Sequence, residues 1–195
     1  MGYSSEKIIL SDVDGVLLNW EDQFHSWMKF RGHTRVHSNS YYYEHHYIGL
    51  SKDEARRAIQ EYNGSSWMLG LPPLRDALAG VARLVDAGYK FHCITSMGDD
   101  PYSKELRMMN LERVFGNDVF DELTVIGMGD SKEPILSKYK DSGLVWIEDK
   151  ASNARIGAKL GLDAILMDHL YNQDSKDDGL LRVANWADIC NYMGV

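Results

Sequence analysis

Short apolar runs alternate along this chain with segments of helical periodicity, and this alternation limits the fold more than any other feature. Residues 7–10 form a short apolar run that ends in the letters SDVDG, which is typical of a buried strand delivering acidic residues to a loop. Residues 74–87 carry apolar side chains at helical spacing, with Pro72 and Pro73 before them and Gly88 after them. Strands that alternate with helices predict a mainly parallel sheet joined by right-handed crossovers.

The alternation continues to the end of the chain. Further strands are predicted at residues 89–96, 123–127, 144–148 and 164–167, and further helices at 101–114, 133–140, 152–160 and 185–193. We therefore predict an α/β fold with a Rossmann-like three-layer core and a mainly parallel sheet. The core is assigned to residues 1–18 and 73–195.

Residues 19–72 break this pattern. The stretch is aromatic, rich in histidine and helix-leaning, and it contains no convincing strand. Trp20–Phe30 is one helix candidate, and Ser51 with Glu54 forms a capping box that opens a second helix running through Tyr62. We predict that residues 19–72 are an insertion after the first strand and form a small helical cap.

Composition and charge exclude several classes of function. A formal net charge of −8 argues against a nucleic acid polymer as partner, because that binding depends on clustered Lys and Arg. No apolar run approaches the roughly 20 residues of a membrane-spanning helix, and the first ten residues lack the apolar region of a signal peptide. We expect a cytoplasmic protein without a membrane partner, in which Cys93 and Cys190 are free thiols. The oligomeric state is left open.

Four polar clusters stand at the ends of predicted strands. In chain order they are Asp12 and Asp14, Thr95 and Ser96, Lys132, and Glu148 with Asp149. In a parallel sheet they would converge on one edge. Transfer of a phosphoryl group needs a nucleophile, a proton donor for the leaving oxygen and positive charge near the phosphoryl oxygens, and each role has a candidate in this set.

The order and context of these clusters resemble the four motifs of the haloacid-dehalogenase-like (HAD) phosphatase superfamily. Those motifs are an Asp-x-Asp loop, a Ser or Thr, a Lys and an acidic pair, and the resemblance covers nearly the whole chain outside residues 19–72. It implies that Asp12 attacks phosphorus to give an aspartyl-phosphate, and that Asp14 protonates the leaving group and then activates water. It also implies that Lys132 offsets negative charge, with Lys104 and Lys138 as alternatives.

The same resemblance implies a Mg²⁺ site. Its ligands would be the carboxylates of Asp12 and Asp149 and the backbone carbonyl of Asp14, all oxygen donors of the kind that Mg²⁺ prefers. A phosphate oxygen would be bound by Thr95, with Ser96 as the alternative. The Glu and Lys on either side of Asp149 depart from the usual pattern of the superfamily, so the role of Glu148 is left open.

The side chains of the insertion allow two readings. Its aromatic and thioether residues either form a small core of the insertion or provide a platform for a flat substrate. These residues are Tyr41, Tyr42, Tyr43, Tyr47, Trp67 and Met68. For the second reading we name Trp67 as a substrate-binding candidate. The four histidines His33, His37, His45 and His46 have no cysteine nearby, and we expect cap residues there instead of a zinc site.

A weaker resemblance concerns the substrate. An aromatic-rich insertion directly after the Asp-x-Asp loop is similar to that of the HAD-type 5′(3′)-deoxyribonucleotidases, which implies a nucleoside monophosphate. The predicted function is Mg²⁺-dependent hydrolysis of a small phosphomonoester. The alternatives are a sugar-phosphate or phosphoglycolate-type phosphatase, a phosphomutase, and a phosphate-binding module without turnover.

Overall fold

A computed structural model describes residues 7–98, 100–175 and 179–195 of the chain. The strands are β1 (Ile8–Ser11), β2 (Lys90–Ser96), β3 (Phe120–Ile126), β4 (Val145–Glu148), β5 (Asp163–Met167) and β6 (Leu181–Val183). The α-helices are α1 (Trp20–Phe30), α2 (Lys52–Asn63), α3 (Ala77–Asp86), α4 (Pro101–Phe115), α5 (Glu133–Leu136), α6 (Ala151–Lys159) and α7 (Trp186–Tyr192). Short 3₁₀ helices lie at Tyr43–His46, Ser66–Gly70, Ser137–Tyr139 and Leu170–Asn172.

The six strands form one parallel sheet in the order β3-β2-β1-β4-β5-β6, which confirms the predicted α/β class. Strand β1 is buried along its whole length, as expected for the centre of a sheet covered on both faces. From β1 the chain first builds outward through β2 and β3, and then returns to place β4 on the other side of β1. The carboxyl ends of β1 and β4 therefore form a topological switch point, where open α/β sheets bind ligands.

Strand β3 begins at Phe120 and helix α3 at Ala77, each about three residues from its predicted start, and two further elements differ in kind from the sequence prediction. Strand β6 was not predicted, because Leu181–Val183 is a three-residue edge strand, too short to show an alternating pattern. The helix predicted at 133–140 is a single α-helical turn followed by a 3₁₀ turn. There the Ser137 hydroxyl donates to the Glu133 carbonyl at 2.7 Å, a local bond that competes with the helical ladder.

Residues 19–72 contain α1, α2 and two of the 3₁₀ helices, and no strand of the sheet. The predicted capping box is present: the Glu54 amide donates to Ser51 Oγ at 3.4 Å, and the Ser51 amide donates to the Glu54 carboxylate at 2.9 Å. Buried Phe24 stacks on Trp20 with ring centroids 4.7 Å apart and meets Tyr62 edge-on. An aromatic core therefore holds α1 against α2.

This aromatic core is continuous with the apolar core of the sheet region. Polar contacts also cross the boundary: Asn63 accepts a bond from the Trp20 indole at 2.9 Å and donates to the Met97 carbonyl at 3.0 Å, just beyond β2. From α4, the Asn110 amide donates to the carbonyls of Leu69 and Leu71. The insertion is thus joined to the sheet region by both packing and hydrogen bonds.

The aromatic candidates of the insertion divide into two groups. Tyr47 and Met68 are buried and Tyr43 packs on the same core, as the core reading predicts. Tyr41, Tyr42 and Trp67 are exposed. Cys93 and Cys190 are buried free thiols. None of the helices in the described ranges has the length and apolar content needed to cross a membrane.

Candidate active site

Three carboxylates meet at the switch point of the sheet. Asp12 directly follows β1, and its amide donates to the Ile147 carbonyl of β4 at 2.9 Å, so the ladder between these strands holds its backbone. Glu148 ends β4 and Asp149 follows it. One oxygen from each of the three carboxylates lies within 4.8 Å of the others. We call Asp12, Glu148 and Asp149 the acidic cluster.

Lys132 is the cation of this cluster. It stands directly before α5, is buried, and places its ammonium 2.6 Å from Asp12 Oδ2 and 2.8 Å from Glu148 Oε2. The ammonium also lies 5.2 Å from the centroid of the Trp146 ring. The two alternative lysines, Lys104 and Lys138, are exposed.

The acidic cluster carries more negative charge than Lys132 can balance. Burial raises the pKa of Asp12 to about 7, and the Glu148 carboxylate beside it adds to the rise while Lys132 opposes it. Burial likewise raises the pKa of Asp149 to about 6, with Asp12 adding to the effect. Burial alone would lower the pKa of Lys132, but the carboxylates of Asp12 and Glu148 outweigh it and the net shift is upward. Three carboxylates thus face one firmly charged ammonium.

Glu148 serves as an anchor within the cluster. One of its oxygens accepts the ammonium of Lys132, and the other accepts the amides of Asp149 at 3.2 Å and Lys150 at 3.0 Å. Both oxygens are therefore engaged in holding the lysine and the turn after β4.

Asp149 is oriented by residues that the sequence reading missed. The Tyr171 hydroxyl donates to Asp149 Oδ2, and the Asn172 side chain donates to the Asp149 carbonyl at 2.7 Å. Both residues lie in the 3₁₀ helix Leu170–Asn172 after β5. Gly15 leaves room for this contact: its φ is +75°, and a Cβ there would lie 2.5 Å from Asp149 Oδ2.

Asp14 lies outside the acidic cluster and is paired with Arg107 of α4. Arg107 Nη2 donates to Asp14 Oδ2 at 2.8 Å, and Nη1 lies 2.8 Å from Oδ1. Burial raises the pKa of Asp14 to about 6, although the guanidinium opposes the rise. The sequence contains a signal that could have identified Arg107. It lies on the same face of α4 as the apolar residues Leu106 and Leu111, and a charged side chain buried there without a partner would be unfavourable.

The two hydroxyls at the end of β2 have different surroundings. The Ser96 hydroxyl donates to the Gly127 carbonyl at 2.9 Å and accepts the Gly129 amide at 3.4 Å. Thr95 Oγ1 is buried and has no hydrogen-bond partner among the described residues. A buried hydroxyl without a partner is unfavourable, so Thr95 is the hydroxyl with capacity for a ligand oxygen.

The donor set fits a magnesium ion. Asp12 and Asp149 offer carboxylate oxygens, and the Asp14 backbone carbonyl accepts no hydrogen bond from any residue in the described ranges. All three donors are oxygens, which Mg²⁺ prefers. Three carboxylates beside one ammonium leave negative charge that a divalent cation would offset.

Of the exposed aromatic residues, Tyr41 has contacts that lead to the acidic cluster. Its ring centroid lies 5.7 Å from that of Tyr171, the residue that donates to Asp149, and the Lys150 ammonium lies 4.8 Å from the Tyr41 centroid. The ring contact found for Trp67 is with Phe30, at 6.2 Å. Among the exposed aromatic residues that the sequence offered as a platform, the geometry therefore favours Tyr41 over Trp67.

Comparison with known proteins gives one relative by sequence and many by structure. No protein-family model matches the chain. The chain is 25% identical over 193 residues to an uncharacterized 32.4 kDa protein in the Gp30-rIII intergenic region of Enterobacteria phage T4, an alignment that covers 95% of this chain and 69% of the phage protein.

Three solved structures illustrate the structural similarity. The haloacid dehalogenase-like hydrolase SP0104 from Streptococcus pneumoniae has a TM-score of 0.67 and 13% identity, and the match covers 97% of this chain and 99% of that chain. The D,D-heptose 1,7-bisphosphate phosphatase from B. bronchiseptica, solved with magnesium and phosphate, has a TM-score of 0.58 and 15% identity, with 96% of this chain and 97% of that chain covered. The L-2-haloacid dehalogenase PA0810 has a TM-score of 0.60 and 13% identity, with 96% of this chain and 99% of that chain covered. Each is similar over nearly its whole length. The chain therefore has the haloacid-dehalogenase-like fold that the order of its four motifs predicted.

Proposed function

We propose that this chain is a Mg²⁺-dependent phosphohydrolase that cleaves a small phosphomonoester through an aspartyl-phosphate on Asp12. The observation that carries the proposal is the buried acidic cluster, whose three carboxylates accompany the single ammonium of Lys132. The unpartnered Thr95 hydroxyl lies near the carboxyl end of β2, the strand next to β1. Such a site has more carboxylates than ammonium groups until a metal ion occupies it, and Thr95 offers a free donor for a phosphoryl oxygen.

Asp12 is the proposed nucleophile. Its Oδ1 accepts the Val13 amide at 2.7 Å and its Oδ2 accepts the Lys132 ammonium, so the carboxylate is held in one orientation. An oxygen of Asp12 would form the new bond to phosphorus as the bond from phosphorus to the ester oxygen breaks. Lys132 and Thr95 would offset charge on the phosphoryl oxygens during this step.

Asp14 is the proposed general acid and base. With a pKa near 6, a minority of Asp14 is protonated at neutral pH and can give its proton to the departing ester oxygen. The resulting carboxylate would then take a proton from the water that hydrolyses the aspartyl-phosphate. Arg107 holds the Asp14 carboxylate on both oxygens and would act as its positioning residue.

Asp12, Asp149 and the Asp14 carbonyl are the proposed Mg²⁺ ligands. When bound, Mg²⁺ would offset the negative charge that otherwise opposes the approach of a phosphate ester to Asp12. The structure of the heptose bisphosphate phosphatase, which is similar in fold, contains magnesium and phosphate. Tyr171 and Asn172 would hold Asp149 in position for the metal.

A haloacid dehalogenase has the same fold and is the second reaction class to consider. Displacement of a halide also uses a carboxylate nucleophile, but a halide leaves without being protonated and its substrate carries no phosphoryl charge. The surplus of carboxylates around Lys132 and the pairing of Asp14 with the buried Arg107 are therefore better suited to phosphate esters.

We further propose that residues 19–72 act as a cap that selects the substrate, because the residues at the switch point would contact only the phosphoryl group and the metal. A nucleoside monophosphate is the first choice, with Tyr41 and Trp67 as candidates to stack on its base. A sugar phosphate is the second choice. Among structures of similar fold, one contains xylulose-1,5-bisphosphate.

The test is release of inorganic phosphate from a panel of nucleoside monophosphates, sugar phosphates and 4-nitrophenyl phosphate, with Mg²⁺ and with excess chelator. We expect release that requires Mg²⁺. Turnover that persists in chelator would contradict the metal requirement. Phosphate binding without release across the panel would identify a binding module, an isomerised sugar phosphate would identify a mutase, and halide release from a 2-haloacid would identify a dehalogenase.

A further inference from the structure

A second group of metal-ligating side chains lies in the insertion, on elements different from those of the acidic cluster. Glu21 and His25 are four residues apart on α1 and therefore share one helix face. His46 ends the 3₁₀ helix Tyr43–His46. One ligand atom from each of the three residues lies within 4.8 Å of the others. We call Glu21, His25 and His46 the imidazole cluster.

One ring nitrogen of His46 has no hydrogen-bond partner among the described residues. Its Nε2 lies 2.7 Å from the Ser40 carbonyl, and because a carbonyl only accepts, Nε2 must carry the proton. Nδ1 is then the acceptor nitrogen. It is buried and has no hydrogen-bond partner among the described residues, in a residue that is only 2% exposed. Burial lowers the pKa of His46, which favours the neutral, ligating form.

His25 is held in a way that suits metal binding as well. Its Nδ1 lies 2.5 Å from the Tyr47 hydroxyl, and its Nε2 lies 3.3 Å from Glu21 Oε1. A hydroxyl can donate or accept, so Tyr47 supports either tautomer of the ring. The separation of 3.3 Å also suits a shared ion, because two ligands on tetrahedral Zn²⁺ with bonds of about 2.0–2.1 Å lie about 3.3–3.4 Å apart.

The surroundings of both rings resemble the outer shell of a metal site. In such sites the ring nitrogen that does not bind the metal is usually hydrogen-bonded, and here Ser40 and Tyr47 occupy those positions. The backbone around His46 is held too: the Val36 amide donates to the His46 carbonyl at 2.8 Å, and the Ile48 amide donates to the Thr34 carbonyl at 3.1 Å. Both imidazoles are therefore oriented before any ion arrives.

We propose that Glu21, His25 and His46 form a second cation site, selective for a d-block divalent ion such as Zn²⁺. Two imidazole nitrogens and one carboxylate match known zinc ligand sets, whereas Mg²⁺ prefers oxygen donors alone. The three side chains leave a fourth position for water. His25 also lines a surface cleft of about 640 Å³, together with Asp22, Lys29 and Arg35, through which an ion could enter.

The bound ion would connect α1 to the segment that carries His46. The segment around His46 is already joined to α1 by the contact between the Tyr47 hydroxyl and His25 and by the packing of Tyr43 on Phe24, and a short two-stranded contact joins it to residues 34–36. A shared ion would add a direct link between that segment and α1. We infer that zinc stabilises the insertion and leaves the chemistry to the acidic cluster.

The test uses the full chain, stripped of metal with EDTA and dialysed, then titrated calorimetrically with Zn²⁺ in saturating Mg²⁺. We expect one Zn²⁺ per chain and a higher melting temperature with zinc. His46→Ala should weaken zinc binding by at least about 10–100-fold, the loss seen when even an outer-shell partner is removed. His45→Ala is the matched control, because His45 is the exposed neighbour outside the cluster and its variant should bind zinc like the wild type.

Two further measurements test the site if His46→Ala does not fold. Glu21 is partly exposed, so Glu21→Gln should fold and still bind zinc more weakly. Co²⁺ added to the wild-type protein should give the intense visible absorption of a four-coordinate site. The proposal is overturned if the wild type binds no zinc at micromolar concentration, if binding survives both His46→Ala and Glu21→Gln, or if Asp149→Asn abolishes it while the insertion variants do not.

Discussion

The acidic cluster and the imidazole cluster both gather ionisable side chains, but they differ in donor type and in how they are assembled. The acidic cluster offers only oxygens and is collected at a sheet edge from residues more than 130 positions apart in sequence. The imidazole cluster is nitrogen-rich and depends on one helix face and one turn. Parallel strands bring distant residues together by topology alone. The imidazole cluster instead depends on the conformation of the segment between α1 and His46.

This difference predicts that the two clusters have separate roles. Hard oxygen donors beside a buried lysine suit phosphoryl chemistry with Mg²⁺, and imidazoles held by hydrogen bonds suit a structural ion of the zinc type. Changes at the sheet edge should therefore alter catalysis most strongly. Changes in the insertion should alter substrate choice or metal-dependent stability.

The largest effect is expected for Asp12→Asn, which tests whether the chemistry is confined to the acidic cluster. An amide is neither a competent nucleophile nor an anionic metal ligand, so kcat for phosphate release should fall by at least about 10⁴-fold. His45→Ala, in the insertion, should retain the wild-type kcat. A kcat within tenfold of wild type for Asp12→Asn would remove the acidic cluster from the reaction.

A smaller loss is expected for Asp14→Asn, because the nucleophile and its lysine stay in place. Removal of the general acid should cost about 10²–10⁴-fold with alkyl phosphates and much less with 4-nitrophenyl phosphate, whose leaving group needs no proton. The measurement is kcat/KM for both substrates, because this ratio reports the step in which the leaving group departs and not the later hydrolysis of the shared aspartyl-phosphate. Equal losses on the two would contradict the acid role of Asp14.

Arg107→Met tests whether the Asp14 pair also supports the fold. Breaking a buried ion pair leaves one charge without its partner, and we expect a loss of about 3 kcal/mol in the free energy of unfolding, at the lower end of the usual range because Asp14 keeps some contact with solvent. Urea unfolding is the measurement. Arg113→Met, on the exposed side of the same helix, is the control and should change stability by less than about 0.5 kcal/mol.

The smallest effect is expected at the aromatic surface of the insertion. If Tyr41 stacks on a base, Tyr41→Ala should lower kcat/KM for nucleoside monophosphates by an amount worth about 1–3 kcal/mol, and should leave 4-nitrophenyl phosphate nearly unchanged. Trp67→Ala in the same assay tests the choice made from the sequence.

The Tyr41 result is read together with thermal stability. Tyr192→Ala, at an exposed tyrosine of α7 outside the insertion, serves as the matched control. Equal losses on both substrates with a lower melting temperature would mean that Tyr41 supports the fold. That outcome would retire the nucleotide as the proposed substrate.

The sequence by itself determined the α/β class and the residues at the ends of the strands. Apolar runs that end in SDVDG, in ITS and in IED mark buried strands, and parallel strands all end at one edge. Periodicity and a capping box were likewise sufficient for α1 and α2. These features could be predicted because each depends on a local pattern and one topological rule.

Tertiary structure alone decided the partners of those residues. No spacing in the sequence predicts that Arg107 pairs with Asp14, that Tyr171 orients Asp149, or that Tyr41 lies beside Tyr171. His46 was considered with the wrong neighbours for the same reason: its partners, Glu21 and His25, come from a helix that precedes it by about 20 residues. Contacts between side chains of different elements depend on how those elements pack, and packing is set by the whole core and not by any one segment.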